Sequence, residues 1–251
     1  MVVKGGRGRK RQGPATTFYR LLPPSTALFR RFLLRWFRAH ARPFPWRETR
    51  DPYRIIVSEF MLQQTQASRV EQFYPRFLKR YPTVESLARA RPQAVRETWE
   101  GLGYYARARN LHALARLVVK EHGARIPGDT ETLRGLPGVG RYTAGAVACF
   151  AFEKREATVD TNVRRVLGRV FLLAGAHGAP RTAHRRSNAT AVWELAQRIL
   201  PRLGRTAWEF NQALMDLGAT ICVARKPKCP VCPVRKACRI GLQQGRANEG
   251  Q

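Results

Sequence analysis

The sequence predicts an all-α fold, and three observations lead to that prediction. Apolar residues recur at the three- and four-residue spacing of helices along most of the 251-residue chain. No stretch of useful length alternates between apolar and polar residues, as a half-buried strand would. Glycines separate successive helical patterns at Gly101-Leu102-Gly103 and Gly138-Val139-Gly140, where their conformational freedom lets the chain turn.

The helices nearest the N-terminus have recognisable starts and stops. Residues 1–17 are rich in Gly, Arg and Lys, and we expect them to form a disordered basic tail. Ser25 can cap a first helix, which Pro43 ends. Asp51 at the N-cap and Pro52 at the first helical position then begin a second helix, from residue 53 to about residue 66.

Helical spacing continues as far as a cysteine-rich segment near the C-terminus. Thr206 and Glu209 have the spacing of a capping box at the start of the last helix. Residues 241–251 are expected to be a polar tail. The remaining predicted helices cover residues 69–80, 84–90, 92–100, 106–122, 130–135, 141–152, 161–172, 189–200 and 207–221.

The charge of the chain points to a polyanionic partner. Lys and Arg number 46 against 17 Asp and Glu, which gives a formal net charge of +29. Such an excess repels itself unless a polyanion binds, and nucleic acid is the usual one. No apolar stretch approaches the roughly 18 residues of a membrane span, and no secretory signal is recognisable.

Four cysteines, Cys222, Cys229, Cys232 and Cys238, lie close together near the end of the chain. One Cys-x-x-Cys pair is flanked by a single outlying cysteine on each side. Zinc sites made of four cysteines usually carry two such pairs, whereas one continuous segment of this kind suits an iron–sulfur cluster. The spacing therefore favours a cluster over zinc or four unrelated buried thiols.

The segment Leu136-Pro137-Gly138-Val139-Gly140-Arg141 joins two short predicted helices through a tight turn. Its glycines leave backbone N–H groups uncovered, and the following helix adds its positive N-terminal end. A DNA phosphate fits this arrangement without any reading of bases. The pattern favours phosphate binding by Gly138, Gly140 and Arg141 over an ordinary glycine-rich junction.

Two carboxyl groups occupy contrasting environments. Glu59 lies in an otherwise apolar helix, where loss of solvation raises its pKa and leaves it able to donate a proton. Asp160 lies where a new helix begins, and free N–H groups there favour its ionised form. Glycosidic cleavage needs one acid and one carboxylate. The alternatives are a surface residue for Glu59 and a simple N-cap for Asp160.

The run Gln63-Gln64-Thr65-Gln66 directly follows the Glu59 helix. Amide side chains can pair with base edges, so this run could read a base pair; a solvated helix end is the alternative. Tyr104 follows the first glycine junction and could stack in the gap left by an extruded base, although aromatic residues at helix starts more often simply pack.

Taken together, these segments resemble the helix-hairpin-helix (HhH-GPD) DNA glycosylase superfamily, and within it the MutY-type adenine glycosylases. The resemblance runs from about Arg42 to Arg239 and is carried by PFPWRETRDPYRIIVSEFMLQQTQ, WEGLGYYARARNLH, LPGVGRYTAGAV, VDTNVRRVLGR, FNQALMDLGATIC and the cysteine spacing. It implies a six-helix barrel with the helix-hairpin-helix at 44–154. A second helical domain, 18–43 with 155–240, would carry a 4Fe-4S cluster on the four cysteines, and DNA would bind in the groove between the domains.

The resemblance also implies roles for individual residues. Glu59 would protonate the adenine, and Asp160 would stabilise the cationic sugar or trap it covalently. The base has to be flipped out of the duplex first. The remaining positions are Tyr142 and Asn162, which support the catalytic site, Trp46, Arg47 and Gln212 around the flipped adenine, and Gln64, Thr65, Leu102 and Tyr104 beside the opposite base.

Position 142 distinguishes subclasses within this resemblance. Relatives of the endonuclease III type, which act on damaged pyrimidines, place a lysine there as a Schiff-base nucleophile, and tyrosine cannot form an imine. We therefore expect a monofunctional glycosylase that leaves an abasic site. Thr161 departs from the family pattern, which has glycine after the catalytic aspartate.

The target base stays open. The chain ends thirteen residues after Cys238, so we expect the C-terminal 8-oxoguanine-recognition domain of adenine glycosylases to be absent. Short relatives that remove thymine or uracil opposite guanine also carry tyrosine at position 142, while the glutamine-rich run favours adenine opposite 8-oxoguanine or guanine.

A noncatalytic iron–sulfur DNA-binding or redox-sensing protein would not need Glu59 and Asp160 in opposed environments. The expected partner is double-stranded DNA with a mismatch or lesion, bound by a cytoplasmic, nucleoid-associated monomer.

Overall fold

The structure, a computed structural model, describes residues 26–171 and 183–241. These residues form α-helices and short 3₁₀ turns without any strand, so the all-α prediction is confirmed. The predicted cap at Ser25, the basic tail and nearly all of the polar tail lie outside the described residues. The helices are α1 (Thr26–His40), α2 (Pro52–Leu62), α3 (Ala67–Arg80), α4 (Val84–Ala88), α5 (Pro92–Thr98), α6 (Ala106–Glu121), α7 (Thr130–Gly135), α8 (Arg141–Phe152), α9 (Thr161–Phe171), α10 (Ala183–Ile199) and α11 (Gly204–Thr220).

The helices pack in two groups that meet at one junction. In the first group α2 contacts α3, α6 and α8, while α4 and α5 pack on α6 and α7 packs on α8. In the second group α11 contacts α1 and α9, and α9 also contacts α10. Contact between α8 and α11 joins the groups. The domain bounds inferred from the sequence stay a prediction.

Helix α2 is buried on almost every side because its sequence is apolar on almost every side. Ile55, Ile56, Val57, Phe60 and Met61 are each at most 2% exposed. Burial of a side chain of this size contributes about 1.5–3 kcal/mol, so this short helix anchors the first group firmly. Its start was predicted correctly, since Asp51 caps it by accepting from the N–H groups of Tyr53 and Arg54.

Three helix bounds differ from the sequence prediction by three or more residues. Helix α2 ends at Leu62 rather than near residue 66, because Gln64 adopts a left-handed conformation with φ of +58°. Helix α10 begins at Ala183, in a polar stretch without a recognisable apolar stripe. Helix α11 begins at Gly204, so the capping box predicted for Thr206 and Glu209 is wrong.

The early start of α11 has a tertiary cause. A Cβ atom at position 204 would lie only 1.7 Å from the Glu153 carbonyl oxygen. The first turn of α11 therefore packs directly on the end of α8, and only glycine permits this contact.

In the described residues no helix is both long and apolar enough to cross a membrane.

Candidate active site

A central cavity of about 760 Å³ opens where the two helix groups meet. Its walls come from the 3₁₀ turn Pro45–Arg47, the end of α2, the following 63–66 turn, and the starts of α8 and α9. Two residues of α11, Met215 and Ala219, complete it. Eight of the residues predicted for the site meet here, namely Trp46, Arg47, Glu59, Gln64, Thr65, Tyr142, Asp160 and Asn162.

Glu59 is a buried acid on the wall of this cavity. It is 4% exposed, and its Oε2 atom has no hydrogen-bond partner in the described part of the chain. Burial raises the pKa of the Glu59 carboxyl to about 7; the neighbouring Tyr142 hydroxyl and Arg47 guanidinium lower this pKa, and the charge of Asp160 raises it. A substantial share of Glu59 is therefore protonated near neutral pH, as a proton donor requires.

Asp160 lies on the same cavity in a polar, hydrogen-bonded setting. One carboxylate oxygen accepts from the Val163 N–H at 2.6 Å, and the other accepts from the Asn162 side-chain amide at 2.9 Å. Asp160 is therefore the N-cap of α9, as its position in the sequence suggested. These two hydrogen bonds hold the carboxylate in a fixed orientation toward the cavity it shares with Glu59.

Close helix packing holds the Asp160 segment in place. A Cβ atom at Gly145 of α8 would lie 2.7 Å from the Ala157 carbonyl oxygen, and one at Gly218 of α11 would lie 2.6 Å from the Asn162 Cβ. These two glycines let the segment pass between α8 and α11. The start of α9 therefore reaches the cavity wall.

Arg165 connects this segment to the cysteine-rich loop, and sequence reasoning missed it. Its guanidinium donates to the Asn162 side-chain oxygen at 2.8 Å and to the Gly218 carbonyl at 2.7 Å. The same group donates to the Cys222 carbonyl at 2.8 Å. Because Gly218 and Cys222 lie 53 and 57 residues from Arg165 along the chain, no local sequence pattern could have revealed these two contacts.

Asp216 is a second residue that sequence reasoning missed. Its carboxylate is buried on α11 and accepts from both terminal nitrogens of Arg47 at 2.9 Å. Arg42 donates to it as well, at 2.7 Å. Burial by itself would raise the pKa of Asp216, but the two arginines outweigh it and lower that pKa. A lone acid among apolar residues of a helix, like Glu59, was the signal available in the sequence.

The hydrogen bonds to Asp216 therefore hold the Arg47 side chain at the cavity in one orientation. Its guanidinium lies 5.1 Å from the Phe44 ring, and that ring stacks on Trp46 at 4.7 Å. Gln212, which was predicted to sit beside the flipped base, does not line the cavity. It is buried on α11, one turn before Asp216.

A side cavity of about 530 Å³ adjoins the central one. Gln64, Thr65 and Gln66 line both, and Leu102 lines the side cavity from the opposite turn. Tyr104 follows this turn and is 62% exposed, with φ of +47°. Three of the four residues predicted for the opposite base, Gln64, Thr65 and Leu102, thus line the side cavity, and Tyr104 does not.

The predicted phosphate-binding turn has the expected shape. Gly138 has φ of +76°, and a Cβ atom there would lie 2.8 Å from the Asn110 Cβ and 2.9 Å from the Phe60 ring. Gly140 is the N-cap of α8 and provides no side-chain cap, which leaves the first N–H groups of the helix to other partners. Arg141 is exposed and lies 4.2 Å above the Trp193 ring.

The four clustered cysteines line a small cavity of about 90 Å³ beside α9 and α11, and none of them is in a disulfide. Arg169 donates to the Cys222 sulfur at 3.5 Å. Burial, together with the charges of the other three thiolates, raises the pKa of Cys232 to about 11. Across the described residues, no three Cys, His, Asp or Glu side chains lie close enough together to hold a single metal ion.

Comparison with known families decides the relationship. Residues 57–194 match the model of the HhH-GPD superfamily of base excision DNA repair proteins. The chain belongs to this superfamily. The matched residues of this HhH-GPD protein include both candidate catalytic carboxyl groups, and the predicted resemblance is confirmed.

Individual relatives carry two different names. An adenine DNA glycosylase of Rattus norvegicus is 42% identical over 229 residues, 87% of this chain and 42% of the relative. One of Mycobacterium tuberculosis is 45% identical over 203 residues, 80% and 64% of the two chains. A thymine/uracil-DNA glycosylase of Methanothermobacter thermautotrophicus is 38% identical over 207 residues, 82% of this chain and 90% of the relative. The HhH-GPD chain therefore spans less than two thirds of these two adenine-type relatives.

Solved structures agree with the fold. A thermostable thymine-DNA glycosylase superposes with a TM-score of 0.78 at 35% identity, covering 87% of the HhH-GPD chain and 97% of that structure. A non-covalent endonuclease III–DNA complex gives a TM-score of 0.71 at 23% identity, covering 90% and 100%. The second comparison concerns the fold alone.

Proposed function

We propose that this HhH-GPD chain is a monofunctional DNA glycosylase that removes a mispaired adenine, opposite 8-oxoguanine or guanine, from double-stranded DNA. One observation carries the proposal. The buried acid Glu59 and the hydrogen-bonded carboxylate of Asp160 face one cavity whose volume suits a nucleobase with its sugar. The protein would act as a monomer at the nucleoid.

The two carboxyl groups divide the chemistry between them. An adenine flipped into the central cavity receives the Glu59 proton, and the C1′–N bond breaks with its electron pair going to the base. The sugar is left cationic at C1′, where the Asp160 carboxylate stabilises it or forms a bond with it. Water then adds at C1′, gives its proton to the Glu59 carboxylate and displaces Asp160 if the two are bonded, and an abasic site remains.

The neighbouring side chains would orient the base. Arg47, held by the fork of hydrogen bonds to Asp216, offers its guanidinium edge to a ring nitrogen of the adenine. Trp46 lies in the same wall. On the other strand, Gln64 and Thr65 would contact the opposite base while Leu102 and Tyr104 wedge beside it, and the turn at Gly138, Gly140 and Arg141 would hold a phosphate.

Tyr142 supports a monofunctional reaction. Burial and the nearby charges of Glu59 and Asp160 raise the pKa of its phenol well above the ordinary value, so it stays protonated at neutral pH. It can therefore donate a hydrogen bond to Glu59 and cannot form the imine on which strand cleavage depends. Asn162 would hold Asp160 in place.

We also propose that Cys222, Cys229, Cys232 and Cys238 hold a 4Fe-4S cluster. The donor set fits, since four thiols without disulfides line one cavity and come from one continuous segment with a single Cys-x-x-Cys pair. When bound, the cluster would supply a cross-link for the basic loop that carries Arg225, Lys226 and Lys228. That loop would then be held against DNA phosphates.

A second target has its own support. The thymine/uracil relative is 38% identical over 82% of this chain, and the solved thymine-DNA glycosylase superposes with a TM-score of 0.78. Removal of thymine or uracil opposite guanine would use the same two carboxyl groups and the same tyrosine. The 63–66 turn, with three amide side chains beside the cavities, favours the adenine reaction.

Single-turnover assays on a panel of duplexes test the proposal. The panel holds adenine opposite 8-oxoguanine, adenine opposite guanine, thymine opposite guanine and uracil opposite guanine, with strand cleavage scored separately from base release. We expect fastest release of adenine, no strand cleavage, and at least about 10²-fold loss of rate in Glu59→Gln. The exposed Glu194→Gln on α10 is the matched control. Release of no base, or an unchanged rate in Glu59→Gln, would refute the proposal.

A further inference from the structure

Arg107, near the start of α6, is an arginine buried in the interior that bonds to two separate turns. It is 6% exposed. One terminal nitrogen donates to carbonyls at the end of α2, and the other donates to carbonyls of the 101–104 turn. The five bonds are to Phe60 at 3.1 Å, Met61 at 2.7 Å, Gln63 at 2.5 Å, Leu102 at 3.0 Å and Gly103 at 3.0 Å.

The two turns are those that enclose the side cavity. The 63–66 turn supplies Gln64 and Thr65, and the 101–104 turn supplies Leu102 and leads to Tyr104. Along the sequence they are separated by helices α3, α4 and α5, so neither turn positions the other through the chain. One planar guanidinium in contact with both sets the distance between them.

Both turns hold backbone conformations that need such support. Gln64 has φ of +58° and Tyr104 has φ of +47°, although neither is glycine. Left-handed backbone is unfavourable for these residues and persists only where the surroundings hold it. The Arg107 guanidinium also lies 5.4 Å from the centre of the Tyr104 ring.

The hydrogen bonding of Arg107 is unusual for a buried cation. In the described part of the chain its side-chain hydrogen bonds go to neutral carbonyl oxygens, and no carboxylate forms a salt bridge with it. Burying a charge in this way is costly. A smaller neutral residue could fill the space at lower cost, which points to a role beyond packing.

We propose that Arg107 is the positioning residue for recognition of the opposite base. It holds Gln64 and Thr65 at a set distance from Leu102 and Tyr104, so that one base fits between the two turns. The inference rests on the proposed function and deepens it. Arg69 donates to the Gly101 carbonyl at 2.7 Å and the Trp99 indole donates to the Gly103 carbonyl at 3.2 Å, whereas the Arg107 side chain bonds to both turns.

The test measures selectivity for the opposite base rather than activity alone. Single-turnover release of one target base is compared with 8-oxoguanine, guanine or cytosine opposite, in the wild type, Arg107→Met, Arg107→Lys and Arg116→Met. Arg116 is exposed on the same helix and serves as the matched control. All assays run at a temperature where circular dichroism shows each variant folded.

In Arg107→Met we expect the rate ratio between preferred and disfavoured opposite bases to fall by about tenfold, the size of one base-edge contact. The ratio in Arg107→Lys should lie between those of the wild type and Arg107→Met, because an ammonium group can reach only one of the turns. Arg116→Met should keep the wild-type ratio. If Arg107→Met does not fold, Arg107→Lys provides the same comparison.

A spectroscopic measurement separates positioning from chemistry. In a Glu59→Gln background, 2-aminopurine at the target position reports extrusion by its fluorescence, and adding Arg107→Lys should lower the extruded fraction. A wild-type ratio in a folded Arg107 variant, or equal losses with every opposite base, would overturn the inference alone. If the wild type releases no base from any duplex, the proposed function itself fails.

Discussion

The raised pKa of Glu59 makes the proposed reaction depend on pH in a defined direction. Glu59 can donate a proton only when it is protonated, and its pKa is about 7. We expect the single-turnover rate to fall about tenfold per pH unit above 7. Rates measured from pH 5.5 to 9 check this, with Glu194→Gln as a control that keeps the profile. A rate that stays constant from pH 6 to 9 would contradict it.

Burial of Glu59 also makes the free energy of unfolding depend on pH. The folded pKa of Glu59, about 7, lies above the ordinary value of a glutamate. The stability gained by holding the proton is fully present below about pH 4 and is lost as pH rises through 7. Glu59→Gln, which is neutral at every pH, should therefore unfold less readily than the wild type at pH 8, by about 2–3 kcal/mol.

Denaturant unfolding at pH 8 and pH 5 measures this difference. The advantage of Glu59→Gln should shrink at pH 5, where most of the wild-type carboxyl is already protonated. Glu194→Gln should show no pH-dependent difference. A Glu59→Gln protein that is less stable than the wild type at pH 8 would show that the carboxylate is held by favourable contacts instead.

Individual site residues differed in how visible they were in the sequence. Glu59 could be found because a single acid in a fully apolar helix has few structural explanations. Asp216 offered the same local signal, but its partners Arg42 and Arg47 lie far away along the chain, and Arg165 reaches the Cys222 carbonyl across 57 residues. Residue type and local spacing do not indicate such long-range contacts.

At the scale of helices, bounds that depend on contacts within a few residues could be predicted from the sequence. Bounds that depend on tertiary packing could not. The Asp51 cap is a local contact and was found correctly. The end of α2 depends on Arg107, 44 residues further along the chain, which holds the Gln63 carbonyl. The start of α11 depends on the Glu153 carbonyl against Gly204. The helical spacing of apolar residues does not mark either bound, so a prediction from that spacing misplaces the end of α2 and the start of α11.

The close approach of α9 and α11 gives a prediction at this scale. In Gly218→Ala the new Cβ would lie 2.6 Å from the Asn162 Cβ, so the start of α9 has to shift. We expect a loss of about 1–3 kcal/mol of stability and slower base release, because Asn162 holds Asp160. Thermal unfolding and single-turnover rates measure the two effects.

A second glycine serves as the control. A Cβ atom at Gly168 in α9 meets nothing within 4 Å, so Gly168→Ala should keep the rate and gain about 0.5–1 kcal/mol from helix propensity. Equal behaviour of the two alanine variants would mean that the α9–α11 contact does not position Asp160.

At the scale of the whole molecule, the cysteine loop is expected to govern folding and DNA affinity before chemistry. The loop is tied to α9 through Arg165 and Arg169, and it holds three basic residues, Arg225, Lys226 and Lys228. Cys229→Ser should lower the yield of folded protein or weaken DNA binding at least about tenfold, since phosphate contacts are lost together.

Fluorescence anisotropy with a labelled duplex measures this affinity, and iron content and visible absorbance are followed in the same samples. Cys149→Ser is a partial control, because Cys149 is buried away from the loop and contacts Asn211. A soluble Cys229→Ser protein that binds DNA as tightly as the wild type would contradict the expected role of the loop.

The 63–66 turn is a partition with a cavity on either face. Under the proposed function, a substitution in this turn that changes which opposite base is accepted would also reshape the cavity that receives the flipped base. Retargeting by directed evolution would therefore advance through coupled changes on both sides of this wall, and libraries confined to one side should recover few useful variants.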